Sequence, residues 1–186
     1  MRKSSFWLVA LLVASCVSQV CAQVQPRKYV LNNVPQYYQG KVECGPVAMR
    51  MVLAYYGINL SKSEIKGSVG TTSVGTRPTD MLIYVQSTGL KFDERSGTID
   101  DIAMHIAMGH PVLVHQWKTM EAKQFGQVSH FRVVIGYDYD TQTIYMRDPS
   151  RSGLSSISFQ EFNTLWEVKT GRGGCSTKNW MMAIYK

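Results

Sequence analysis

The stretch Gln39-Gly40-Lys41-Val42-Glu43-Cys44-Gly45-Pro46, running on through Met51-Val52-Leu53-Ala54-Tyr55-Tyr56-Gly57, decides how the rest of the chain is read. Pro46 suits the first turn of a helix, whose apolar side would carry Val47, Ala48, Met51, Val52 and Tyr55, with Gly57 as its stop. A cysteine at the start of that helix meets unpaired backbone N–H groups and the positive end of the helix dipole, both of which stabilise a thiolate. Gly45 would let a substrate backbone come close. The Gln39 amide, together with the Cys44 backbone N–H, would form an oxyanion hole.

A thiolate nucleophile needs a base, and the chain offers His105, His110, His115 and His130. His105 falls inside a helical pattern and His110 at its end, which makes both surface residues. His115 lies within a strand and reads as a packed or hydrogen-bonded side chain. His130 opens an apolar strand, and Asp148 closes the next one. A hairpin with its turn near Tyr139 would set the two directly opposite each other, with Cβ atoms about 5 Å apart. At that range a carboxylate can hold an imidazole through one ring nitrogen.

Outward from these residues, the first half of the chain is helical. Ser61-Lys62-Ser63-Glu64 is a capping box. Pro78 and Asp80 open a helix that ends at Gly89. Thr98-Ile99-Asp100-Asp101 opens another, with Ile102, Ala103, Ile106 and Ala107 on one side. The second half reads as strands: Pro111 to Trp117, His130 to Tyr137, Thr143 to Arg147 and Trp180 to Tyr185. They are interrupted by a short helix, Phe159 to Trp166, capped by Ser158. A further strand is expected near Tyr29 to Asn32. Helices first and antiparallel strands second give an α+β domain with helices packed on a sheet. Gly67 to Arg77 and Thr119 to Ser129 are long connections of the kind that carry binding roles.

The N-terminus reads as an address. Arg2 and Lys3 precede the apolar run Phe6 to Ala14, and Val20 and Ala22 occupy the small-residue positions of a cleavage site. Residues 1–22 are therefore expected to be a signal peptide, leaving residues 23–186 as one domain in a periplasmic or secreted protein. The alternative is a lipoprotein signal ending before Cys16, with a lipid anchor at that cysteine. Either way the mature chain needs no transmembrane span. The chain of 186 residues carries a formal charge of +7, of which the signal region holds two units. It has no dense Lys/Arg run, so nucleic acid is not an expected partner.

Taken together, Gln39, Glu43-Cys44-Gly45-Pro46, Gly109-His110-Pro111-Val112, His130-Phe131-Arg132-Val133-Val134-Ile135-Gly136-Tyr137-Asp138 and Asp148-Pro149, in this order and spacing, resemble the bacteriocin-processing, double-glycine peptidase family and its stand-alone relatives. The resemblance runs from about Val34 to the last strand. It implies a papain-like fold, with Cys44 as nucleophile, His130 as base, Asp148 as the group orienting the histidine, and Gln39 as oxyanion donor. Gln39 stands one residue closer to the cysteine than in transporter-linked members, which keeps Gln36 as a reserve. Those members act beside a membrane transporter. This chain carries an export signal instead, so leader processing is not transferred as its activity.

The expected function is an exported cysteine peptidase acting on a peptide or protein substrate, the cell envelope being one place to meet it, without a cofactor. Three other readings stand beside it: a silent peptide-binding module, an amidase or acyltransferase on a non-peptide amide, and a Cys44–Cys175 disulfide. A zinc site of Cys44, His115 and His130 has no paired ligand spacing behind it.

Overall fold

The apolar run after His130 forms the long strand at the middle of the molecule, β4 (Ser129–Asp138), buried along nearly all its length. A computed structural model describes residues 25–169 and 176–186; the signal region, Cys16, Cys21 and Cys175 lie outside the described residues. The first half of β4 pairs antiparallel with β3 (Val112–Trp117), while its far end pairs with β1 (Lys28–Val30). On its other side runs β5 (Thr143–Arg147), followed by β6 (Ser155–Ser158). Beyond β3 lie β9 (Trp180–Tyr185) and the edge strand β2 (Lys91–Ser96), giving the sheet order β2-β9-β3-β4-β5-β6. A two-stranded ribbon, β7 (Glu167–Val168) with β8 (Thr177–Lys178), stands apart.

The helices are α1 (Cys44–Tyr55), α2 (Lys62–Ser68), α3 (Pro78–Ser87), α4 (Ile99–Ala107), α5 (Met120–Gln124) and α6 (Phe159–Leu165). Helix α1 buries Val47, Ala48, Met49, Met51, Val52 and Leu53, more than one stripe, because it is wedged between β4 and α2. The capping box read at Ser61 is present, and Thr98, expected to open its helix, forms another; each satisfies two otherwise orphaned backbone N–H groups. Trp117, Trp166 and Trp180 are core side chains. This is the α+β architecture expected, with helices against a large antiparallel sheet.

The structure differs from the expectation at several places, among them the short strands β6, β7 and β8. Strand β2 did not stand out because Lys91-Phe92-Asp93-Glu94-Arg95-Ser96 is mostly charged, a composition suited to a sheet edge. The connection after Thr119 holds the short helix α5, capped by the Thr119 side chain on Ala122 N–H. His105 is not a surface residue. It is buried, and its Nε2 meets Asp93 Oδ2 at 3.0 Å. Its place three residues after Ile102 puts it on the inward face of α4.

Candidate active site

Cys44 opens α1, and the turn before it is tight. Val42 sits at φ 53°, a left-handed conformation costly for a β-branched residue. That turn brings the Glu43 carboxylate back to the Gly40 N–H at 2.7 Å and toward Lys62 and Lys66, at 2.9 and 3.1 Å. The Lys62 contact, with the Gly40 N–H, holds the Glu43 carboxyl well below its usual range, at about 2. No side chain caps the N-terminus of α1, and its first turn contains no acidic residue. The first helical bond is Val47 N–H to Glu43 C=O, and Pro46 has no N–H. The Gly45 N–H is directed at the Cys44 sulfur, and the Cys44 N–H stands at the uncapped start of the helix.

Gly45 was expected to make room for substrate. A Cβ there would instead lie 2.6 Å from the Thr76 Cβ, so the room is filled by the 71–76 connection packing on the helix.

His130 and Asp148 meet, but not by the simple hairpin register. The β4–β5 ladder pairs Val133 with Arg147 and Val134 with Met146, then jumps to Gly136 with Tyr145. Ile135 is the extra residue of a bulge, and its carbonyl accepts a bond from Leu31 N–H instead. The bulge moves the register, so that continuing the ladder sets Asp148 opposite Arg132 and diagonal to His130. The carboxylate serves both. His130 Nε2 lies 2.8 Å from Oδ1, and Arg132 Nε donates to Oδ2 at 2.8 Å. Ser150 adds its N–H and its hydroxyl to Oδ1, each at 2.7 Å.

Arg132 is the residue the sequence reading missed. It is buried, and besides Asp148 it binds the carbonyls of Trp117 and Lys118 and the Gln116 side chain. A guanidinium in an otherwise apolar strand, two residues from the histidine and so on the same face, was the available signal.

With Nε2 held by Asp148, the other ring nitrogen of His130 is left for the Cys44 thiol, and the two groups shift each other's titration. Burial pushes the thiol up. The hydrogen bond and charge of His130, with the backbone N–H groups of Phe131 and Gly45, outweigh it and bring the thiol below its ordinary value. Burial likewise lowers His130, and Asp148 and Cys44 more than reverse this, so the imidazolium is favoured. Burial raises Asp148, while His130 and Arg132 drive it far below the carboxylate range. The three shifts share one sense: each favours the charged form, thiolate, imidazolium or carboxylate.

Cys44 is half-buried on the wall of a cleft of about 810 Å³, which Gln39, His115 and His130 also line. Gln39 is anchored by its backbone N–H on Pro149 C=O at 2.9 Å. Its buried Oε1 has no hydrogen-bond partner among the described residues. Gln36, the reserve, is engaged elsewhere, with Nε2 bound to the carbonyls of Asp148 and Tyr37. His115 packs on Phe131 and bonds Thr177 Oγ1 at 2.9 Å; burial keeps it neutral, at about 4. Among the described residues no three His, Cys, Asp or Glu side chains are placed to hold a metal ion, and no helix is long and apolar enough to cross a membrane.

Solved structures share the fold. A C39-like peptidase from Bacillus anthracis superposes with a TM-score of 0.65 at 19% identity, over 86% of this chain and 98% of that one. The peptidase domain of Streptococcus ComA, a bi-functional ABC transporter, gives 0.60 at 16% identity, over 81% and 96%. A double glycine motif protease from the AMS/PCAT transporter, solved with its leader peptide, gives 0.59 at 19%, over 85% and 97%. No curated protein sequence matches. The sequence model of the peptidase C39-like family matches residues 31–173, which contain every residue of the site. The chain belongs to that family, and it is a cysteine-type peptidase.

Proposed function

We propose that the protein hydrolyses peptide bonds through Cys44, His130 and Asp148, by way of an acyl-enzyme. The observation that carries this reading is the convergence of Cys44 with the His130–Asp148 pair, with the sulfur on the wall of the cleft. The Cys44 thiolate attacks the substrate carbonyl, forming a C–S bond and moving an electron pair onto oxygen. The Gln39 amide and the Cys44 N–H receive that oxyanion. His130 passes its proton to the amine nitrogen as the C–N bond breaks. Water then attacks the thioester with His130 taking its proton, and the thiolate departs. Asp148 holds the ring throughout, and Arg132 holds Asp148.

The leader peptide bound by the AMS/PCAT protease supports a peptide as the class of substrate. The N-terminal signal adds the proposal that the enzyme works outside the cytoplasm; N-terminal sequencing of the exported chain, expected to begin at Gln23, tests that part.

Intact mass after treatment with a peptide epoxide tests the chemistry. The reduced wild type should gain one adduct, located on Cys44, and Cys44→Ala should gain none; an unmodified wild type would defeat the reading. Gln39→Ala should lower kcat on the order of a hundredfold with little change in KM, because its amide meets charge that exists only in the transition state. Steady-state kinetics on any cleaved peptide reads this out.

A further inference from the structure

Three chain segments wall the cleft, and each contributes one cation and one exposed valine. The turn before α1 gives Lys41 and Val42, the connection before α3 gives Arg77 and Val74, and the connection around α5 gives Lys118 and Val128. The valines are 40%, 59% and 44% exposed, in that order. Among the described residues none of the three cations forms an ion pair. One carboxylate lines the same cleft, Asp80, and it turns toward the Arg77 backbone N–H at 3.3 Å. Glu43, the acid adjacent to the nucleophile, is already neutralised by Lys62 and Lys66. The cleft therefore keeps an excess of positive charge, held between apolar patches and focused by its walls.

We infer that the cleft selects anionic peptides, in which carboxylate side chains flank an apolar residue. The carboxylates would pair with Lys41, Arg77 and Lys118 while the apolar side chain covers the valines. The inference rests on the proposed peptidase reading, since it describes what lies across Cys44. An exposed or half-exposed charge pair contributes about 0.2–1 kcal/mol, or roughly 1.5- to 5-fold. Two such pairs set the expected preference at about tenfold, decaying as salt shortens the Debye length.

The test uses two small alkylating agents of equal reach, iodoacetate and iodoacetamide, with iodoacetamide as the neutral reference in each protein. Both lose iodide to the Cys44 thiolate. In wild type at low salt the ratio of their second-order rates at Cys44 should exceed that of the triple variant K41E/R77E/K118E by about tenfold. In wild type the ratio should also fall when sodium chloride is raised to about 0.5 M. His130 is present in both proteins, so its own pull on iodoacetate cancels. A ratio equal in the two proteins and flat in salt overturns the inference while leaving the peptidase reading standing. A Cys44 that reacts with neither agent overturns the peptidase reading itself. Cleavage of a mixed peptide library gives the second arm: Asp and Glu should be enriched around the apolar position in wild type and lose that enrichment in the variant. Enrichment of Lys and Arg in wild type would contradict the inference.

Discussion

His130→Ala should reduce peptide turnover by about 10⁴-fold or more, with Cys44→Ala falling as far and the double variant falling no further. The reason is that sulfur and imidazole act as one unit. The imidazole lowers the thiol through its hydrogen bond and charge, and the thiolate in turn raises the imidazole. Without His130, only the backbone N–H groups of Phe131 and Gly45 oppose burial, so the thiol rises, leaving a weaker nucleophile and no proton donor for the amine. Cys44→Ala removes only a half-buried thiol and should cost little stability, whereas His130→Ala removes a buried ring and one partner of the Asp148 carboxylate and should also destabilise the fold. Single-turnover kinetics on a cleaved peptide, beside a thermal scan of each variant, separates lost chemistry from lost structure. Losses that add in the double variant would mean that the two residues work independently.

Arg132→Met should lower stability by about 3–5 kcal/mol, the cost of leaving a buried charge without its partner. Asp148 is almost wholly buried, and Arg132 is the second cation on its carboxylate. The same substitution strips the Trp117 and Lys118 carbonyls of their donor. The sign of the pH dependence follows from Asp148. Its folded-state pKa is depressed, so its contribution is present above the ordinary carboxylate range and is lost as pH falls toward the folded value. Without Arg132 that depression shrinks, and the variant should lose less stability than wild type on acidification. Urea titrations at neutral and acidic pH give both quantities. Arg132→Lys should recover part of the charge effect and little of the fork-shaped hydrogen bonding.

Much of this was legible in the chain because local chemistry and long-range packing agree. Pro46 and Gly57 bracket α1, Ser61 and Thr98 cap their helices, and the apolar runs become β3, β4 and β9. Cys44, His130 and Asp148 fell out of the same logic. The register did not. A turn centred near Tyr139 would pair His130 with Asp148, but Asp138 pairs with Thr143, so the turn is centred one to two residues later, and the bulge at Ile135 then brings Asp148 back opposite Arg132, on the face of His130. Its one marker was Gly136, where a Cβ would lie 2.8 Å from the Tyr29 carbonyl, a close backbone approach that demands glycine. Strand β2 was hidden because pairing with β9 along its full length overrides a charged sequence. The cleft was hidden too, because Lys41, Arg77 and Lys118 are far apart along the chain and only the fold brings their walls together.

The central claim is that a thiolate and an imidazolium share the site, and the pH dependence of Cys44 alkylation by iodoacetamide measures it most directly. With the thiol lowered and the histidine raised, the rate should hold as pH falls below the ordinary thiol value of about 8.5. In His130→Ala it should rise only at alkaline pH. A wild-type profile that climbs through about pH 8.5 like a free thiol, and overlays the His130→Ala profile, would contradict it.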